Sequence, residues 1–425
     1  MYGFRFGFGL PARVPAAAAP VVPLSLDFGA LDPRLDFVRA SPATRVGADG
    51  LIATAGIGEA RIDHDPADNS ALGLLIEEQR TNFKTYSEDI ANGAALVAAA
   101  GMQPVGSGSL LDQTAAPDGA TSADFIAENT NTGSHYIYGA ARSDASDKSL
   151  SIFCKAATRT SGRIQIGDGA LSAGISAEFE LIARTIGAEA THSTGYTAIG
   201  QSRIAPAANG FYRCSVNAST PATSHVGYIA LNDGSGISYA GDGSSGLYIW
   251  GWQLELGAFP TSYIPTTGGA TTRAADSCSS THPDFIAWLA RTQKTVVVTA
   301  DSPASGTRRI FHAAKTGDET NNFLSIYTDE AEVKIAVTSD GAAQANLTLG
   351  TIGAGTPFTV ALSLANNDVQ ASLGGAARIT HANAAIPACD KLWLGCGPAG
   401  EQLCGHLSGS WQFLSDTGDV EALSG

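Results

Sequence analysis

Alternation of apolar and polar residues, repeated segment after segment, is what most constrains this chain. Leu150, Ile152 and Cys154 alternate with Ser149, Ser151 and Lys155. Ile175, Ala177, Phe179 and Leu181 alternate with Ser176, Glu178 and Glu180, and Tyr212, Cys214 and Val216 with Arg213, Ser215 and Asn217. Successive side chains of a strand point to opposite faces, so each segment buries one face and wets the other. Near the C-terminal end Phe358, Val360, Leu362 and Leu364 repeat the pattern against Thr359, Ala361 and Ser363. Many such strands, bounded by turn residues, predict an all-β protein built of antiparallel sandwiches or jelly rolls. The 49 glycines against 2 methionines fit a turn-rich chain better than a helical one.

A length of 425 residues leaves room for two or three domains. Residues 1–23 read as an extended anchor: Tyr2, Phe4, Phe6 and Phe8 share one face of a strand, followed by a stiff Pro-Ala spacer. An isolated strand cannot bury such a face, which implies a partner surface on another protein. Residues 24–85 read as an irregular β-rich connecting region with turns at Asp32-Pro33, Asp49-Gly50 and Asp65-Pro66, packed against the first large domain. A first jelly roll is expected over 86–265 and a linker over 266–281. A second sandwich follows in tandem over 282–425, opened by a helical turn at 282–291 that carries Phe285, Trp288 and Leu289. The stretch from Leu247 to Asp276 closes the first jelly roll. Leu247 and Ile249 are expected on one strand face, with Tyr248, Trp250, Trp252 and Leu254 on the other.

The formal charge of −15 disfavours nucleic acid and anionic lipid, since phosphates demand clustered cations. The leader lacks the basic start and apolar core of a secretion signal, and no apolar run is long enough to span a bilayer. Six cysteines without a C-x-x-C point to reduced thiols rather than a disulfide framework or a metal site, although Cys389, Cys396 and Cys404 lie close enough in sequence for part of them to pair.

Three blocks carry a resemblance: LDFVRASPATRVGADGLIATAGIGEARIDHDP, LGLLIEEQRTNFKTYSED, and the Leu247–Asp276 stretch preceded by GFYRCSV and YAGDGSSGLYIWGWQLE. In this order and spacing they resemble bacteriophage tail-fibre-like and head-fibre-like surface proteins, a class that includes the spikes of gene transfer agents. The resemblance implies a virion surface protein, assembled in a bacterial cytoplasm and held to capsid or tail proteins by its N-terminus. It implies a middle domain like a carbohydrate-binding-module jelly roll that binds host capsule or another cell-surface glycan, in a chain able to oligomerise. The fragments LSIYTDEAEVKIAV, FTVALSLANNDVQASLGG and LWLGCGPAGEQLCGHLSG resemble a concanavalin-type or laminin-G-like sandwich. Related carbohydrate-binding jelly rolls often hold a structural calcium with acids of the last strand. Trp250 and Gly251 stand at those positions here, so no cofactor is expected; Asp233, Asp242 and Glu88 are the alternative oxygen ligands for calcium elsewhere, although Asp in Gly-rich turns reads first as turn chemistry.

No hydrolase elbow, zincin motif or phosphate loop is present. Asp63-His64-Asp65-Pro66 reads as a turn, and the adjacent Glu77 and Glu78 point to opposite faces of an extended chain, so no catalytic residue is expected. Sugar binding uses aromatic faces for ring contact and polar side chains for hydroxyls. The candidates are His135, Tyr136 and Tyr138, with Tyr239 and Asp242 flanking a site at the sandwich edge; the loop Asp318 to Asn322 and the segment Gln402 to His406 are further candidates. The alternatives to an adhesin are a structural connector within a fibre complex and a capsule depolymerase.

Overall fold

The computed structural model describes residues 24–90, 98–103, 110–139 and 142–425. The anchor residues Tyr2, Phe4, Phe6 and Phe8 lie outside the described residues. The protein is all-β, as the alternation requires, and its strands form two sandwiches.

One sandwich lies within residues 98–256. Its first sheet runs in the order Thr197–Ala198, Tyr212–Thr220, Ser146–Lys155, Gly246–Leu256, Thr121–Ala127, Thr114–Ala115. We call it the tryptophan sheet. The second, the tyrosine sheet, runs Thr185–Ile186, Gly174–Glu180, Ser161–Gly167, Val226–Asn232, Tyr136–Tyr138, Ala98–Ala100. Leu150, Ile152, Cys154, Cys214 and Val216 of the first sheet meet Ile137, Ile164, Ile175, Phe179 and Ile229 of the second in one core. These are the apolar positions that the sequence alternation assigns inward.

The other sandwich draws its strands from both ends of the described chain. One sheet runs Ile379–Ala382, Asp368–Leu373, Phe358–Ala365, Gln293–Ala300, Gly405–Leu414, Ala71–Ile76, Ile62–His64, with Leu24–Asp27 also paired to Gly405–Leu414. The facing sheet begins with Asp36–Val38 on Ser277–Ser280 and continues through Lys391–Leu394, Thr307–Ala314, Phe323–Asp329, Glu332–Ser339 and Ala342–Thr351. The tandem order is therefore corrected: one sandwich is inserted into the other. The reason is packing. The short strands of residues 24–76 cannot bury Leu26, Leu74 and Ile76 by themselves, and the later sheets supply the missing core. A hairpin of Ala43–Val46 and Ile52–Ala55 does lean on the inserted sandwich, where Ile52 N donates to the Pro117 carbonyl at 2.9 Å. The helical turn forms at Pro283–Leu289, capped by His282, with Phe285, Trp288 and Leu289 buried.

A bulge corrects the faces expected for Gly246–Leu256. Its register against Ser146–Lys155 passes from Phe153↔Trp250 to Ser151↔Gln253, which inserts one extra residue. Gly251 absorbs it at φ +61, where a Cβ would stand 2.8 Å from the Phe153 ring. Parity flips at that point. Trp252 and Leu254 consequently join Leu247 and Ile249 in the main core, while Trp250 turns outward onto Phe153, Tyr263 and Ile52.

The seam where the chain enters and leaves the inserted sandwich is ionic and buried. Glu77 accepts from Arg61 Nη1 at 2.6 Å, from Ser262 N and Oγ at 2.7 Å each, and pairs with Arg273 Nη1 at 2.8 Å. Asp276 accepts from Arg39 Nη1 at 3.1 Å, from Arg61 Nη2, and from Glu77 N at 2.8 Å. Burial alone would raise the Glu77 carboxyl, but Arg273 and Arg61 outweigh it and hold the group well below the usual carboxylate range. Glu77 is thus a structural clamp joining segments far apart in sequence, and Glu78 bridges Arg80 and Arg308 beside it at 2.5 Å each.

Candidate functional site

The outward face of the tyrosine sheet carries the mixed chemistry that a sugar surface requires. On the Tyr136–Tyr138 strand, Ile137 points into the core, so Tyr136 and Tyr138 point out together. Both rings are half-buried. They lie 6.1 Å apart, inclined by only 21°, and both lean on Tyr228, at 5.6 and 5.0 Å between ring centres. Tyr228 is buried beneath them and accepts a hydrogen bond from Leu171 N at 3.2 Å. Burial pushes its phenol well up, so the ring stays neutral.

Register extends this aromatic patch into a polar one. Tyr138 stands opposite Tyr228, Tyr228 opposite Gln165, and Gln165 opposite Ser176. In the adjoining row Tyr136 pairs with Ala230, Ala230 with Arg163, and Arg163 with Glu178. Arg163 Nη2 donates to Glu178 Oε1 at 2.8 Å, and Asn232 Nδ2 to Glu178 Oε2 at 3.1 Å. Ser176 Oγ meets His192 Nε2 at 2.8 Å. Burial, then Arg163, lowers the His192 imidazole below its ordinary value. Gln165 is buried, gives its Nε2 to the Ala173 carbonyl at 3.2 Å, and has no protein partner for its Oε1. The face thus offers two half-buried aromatic rings and a neutral ion pair, with the buried Gln165 amide beside them.

Of the residues expected at a sugar site, Tyr136 and Tyr138 are brought together, and His135, Tyr239 and Asp242 are not joined to them. His135 points to the opposite side of its strand and is buried. Its Nδ1 faces the Gly101 carbonyl and its Nε2 the Tyr239 carbonyl at 3.2 Å, so neither ring nitrogen is left for a ligand. Tyr239 stacks on His135 at 4.3 Å and donates to Glu128 Oε2 at 2.7 Å. Asp242 is exposed, but Ser244 and Ser245 occupy both its carboxylate oxygens at 2.6–3.0 Å. Their centre is the buried Glu128, which also holds Arg159 Nη2 at 2.6 Å and Asp242 N at 2.9 Å. This knot pins a two-stranded edge, Thr132–Ser134 on Ser238–Ala240, and corrects the binding role expected of these three residues.

The further candidates are likewise engaged. Asp318 holds the side chains of Asn321 and Asn322 at 2.8 and 2.6 Å within its own turn. His406 is clasped between Asp301 at 2.8 Å and Asp63 at 3.0 Å. Asp233 accepts from Ser235 within a turn, and Glu88 accepts from the Tyr263 hydroxyl. Among the described residues no group of three or more His, Cys, Asp or Glu is placed to hold a metal ion. All six cysteines are free thiols, so no pair forms among Cys389, Cys396 and Cys404. Tyr228, Arg163, Gln165, Glu178 and His192 escaped the sequence reading. All but His192 point away from the main core on alternating strands, and the cross-strand order that assembles them is not written in any one segment.

Fold and site together define an all-β protein of two sandwiches, one with an aromatic and polar sheet face. No family model matches the chain, and no curated protein matches it. Solved structures that it is similar to include the CBM40 module of the Ruminococcus gnavus IT-sialidase bound to α2,3-sialyllactose, at 16% identity and TM-score 0.30 over 34% of this chain and 89% of that one. It is also similar to an SAP-like pentraxin from Limulus polyphemus, at 13% identity and TM-score 0.26 over 32% and 69%. The receptor binding domain of botulinum neurotoxin mosaic serotype C/D matches at 9% identity and TM-score 0.27 over 35% and 38%. At such TM-scores these likenesses carry no functional argument, which rests on the geometry of the sheet face instead.

Proposed function

We propose that this protein is a non-catalytic glycan-binding protein whose site is the outward face of the tyrosine sheet. The observation that carries the reading is the near-parallel Tyr136 and Tyr138 pair, half-exposed on a buried Tyr228 and flanked by the Arg163–Glu178 pair. Such rings cover the apolar face of a pyranose, and the flanking groups take its hydroxyls. The finer reading is a virion surface protein that binds host capsule or another cell-surface polysaccharide. It draws support from the three phage-like sequence blocks, and many copies on a particle would make shallow sites avid. An array of bacterial surface polysaccharides tests the binding. Wild-type chain should be retained on some of them, and a Tyr136→Ala/Tyr138→Ala double variant of unchanged circular dichroism should lose at least tenfold in affinity. Equal binding by both proteins would end the assignment to this face. Antibody labelling of purified particles tests the virion location, and unlabelled particles would contradict it.

A further inference from the structure

A cleft of about 760 Å³ opens between the two sandwiches. Gln201, Arg203 and Asn217 line it from the inserted sandwich; Ser302, Glu330 and Thr356 line it from the other. Phe259, on the exit segment, lines the cleft between them. Its volume falls in the range of small-molecule sites, about 300–1,000 Å³. Arg203 Nη2 reaches across to the Ala354 carbonyl at 3.1 Å, so the two walls stand within one side chain of each other.

A second observation points to a ligand. Asn217 is 2% exposed and lines the cleft, and its Nδ2 is spent on the Gln201 carbonyl at 3.2 Å. Its Oδ1 has no protein partner. A buried amide oxygen left unpaired carries a desolvation penalty, which a donor entering the cleft would relieve. Charge narrows the class of donor. Arg203 and Glu330 are both exposed and of opposite sign, and the Asp301 carboxylate is already committed to His406. The cleft thus has no excess cation for an acidic ligand and no excess anion for a basic one.

We propose that this cleft is a second saccharide site, for an uncharged, hydroxyl-rich oligosaccharide held by both sandwiches at once. The proposal rests on the glycan-binding reading of the protein but uses none of the residues of the tyrosine sheet. Titration of the full chain with neutral fragments of dextran, mannan, galactan and xylan, three to six sugars long, and with uronic-acid oligomers tests it. A neutral fragment should bind, and Asn217→Ala on one wall and Glu330→Gln on the other should each weaken it about tenfold or more. Arg203→Ala should do the same, while Tyr136→Ala/Tyr138→Ala should leave this binding within twofold. Hydrogen exchange should slow on both walls, at 200–203 and at 352–356, when the fragment is bound. Sensitivity to one wall alone, preference for uronic acids, or no effect of the cleft variants overturns the proposal. If binding responds to the tyrosine variants only, the cleft falls and the sheet-face site stands. If no fragment binds and the polysaccharide array is also blank, both fall.

Discussion

Replacing Glu77 with alanine removes the carboxylate on which the lobes are clamped, and the structure sets the scale of the damage. The buried cluster holds Arg39, Arg61 and Arg273 against Glu77 and Asp276. Without Glu77, three guanidinium groups face one carboxylate, and Ser262 loses the acceptor of both its N–H and its hydroxyl. Hydrogen bonds to a charged group contribute about 1.5–3 kcal/mol each, but the four here share one anchor and do not add. Removal of one partner from a buried ion pair costs about 3–5 kcal/mol, and we expect Glu77→Ala to fall in that range. Guanidinium unfolding followed by tryptophan fluorescence reads it out, because Trp252 reports the inserted core and Trp288 and Trp411 the other. Glu77→Gln should retain part of the stability, since an amide still accepts from Ser262. The pH dependence carries a sign. A carboxyl held below its unfolded value, about 4.3, contributes fully above that pH and loses its contribution as acid protonates it. The gap between wild-type and variant should therefore start to narrow below about pH 4 and close only in much stronger acid. A loss under about 1 kcal/mol at neutral pH for both variants would refute the clamp.

Other outcomes follow from single residues. Gly251→Ala forces a Cβ into a left-handed backbone position against Phe153 and should cost at least about 1–2 kcal/mol in the same unfolding assay, whereas Gly58→Ala, with nothing within 4 Å, should cost only the backbone term. Burial alone would lower the His406 imidazole, but Asp301 and Asp63 overcome it and push it up to about 10. Its contribution to stability is complete below about pH 6.5 and is lost as pH rises towards 10, so an NMR titration should show the ring still protonated at pH 8 and Asp63→Asn should move it down. Thiol titration of the folded protein should be slow and become complete only in denaturant, because five of the six cysteines are buried and burial raises the Cys278 thiol.

Much of the fold was legible because it rests on local alternation. The inward residues of the Ser146–Lys155, Gly174–Glu180, Tyr212–Thr220 and Phe358–Ala365 strands are those the period of two selects. Trp250, Trp252, Trp288, Trp393 and Trp411 are all buried at cores or seams, as their bulk demands. What failed was non-local. No pattern inside residues 24–76 reveals that Leu26 pairs across from Trp411 or Leu75 from His406, because register between distant strands is set by the partner. The parity flip at Gly251 needs one positive φ that a Trp-Gly-Trp triplet does not announce. In the site, Tyr136 and Tyr138 were legible as a same-face pair, two residues apart. His135 was misread because a histidine beside tyrosines looks like a ligand contact until its strand face and the carbonyls at both ring nitrogens are known.

The proposed function requires that saccharide lie on Tyr136 and Tyr138. A structure of the chain bound to a fragment of a polysaccharide that it retains tests this most directly. A pyranose ring should stack on one or both tyrosines, with hydroxyls within hydrogen-bond reach of Arg163 or Glu178. Saccharide bound instead at the Glu128 knot of His135, Tyr239 and Asp242, with the tyrosine face bare, would contradict it.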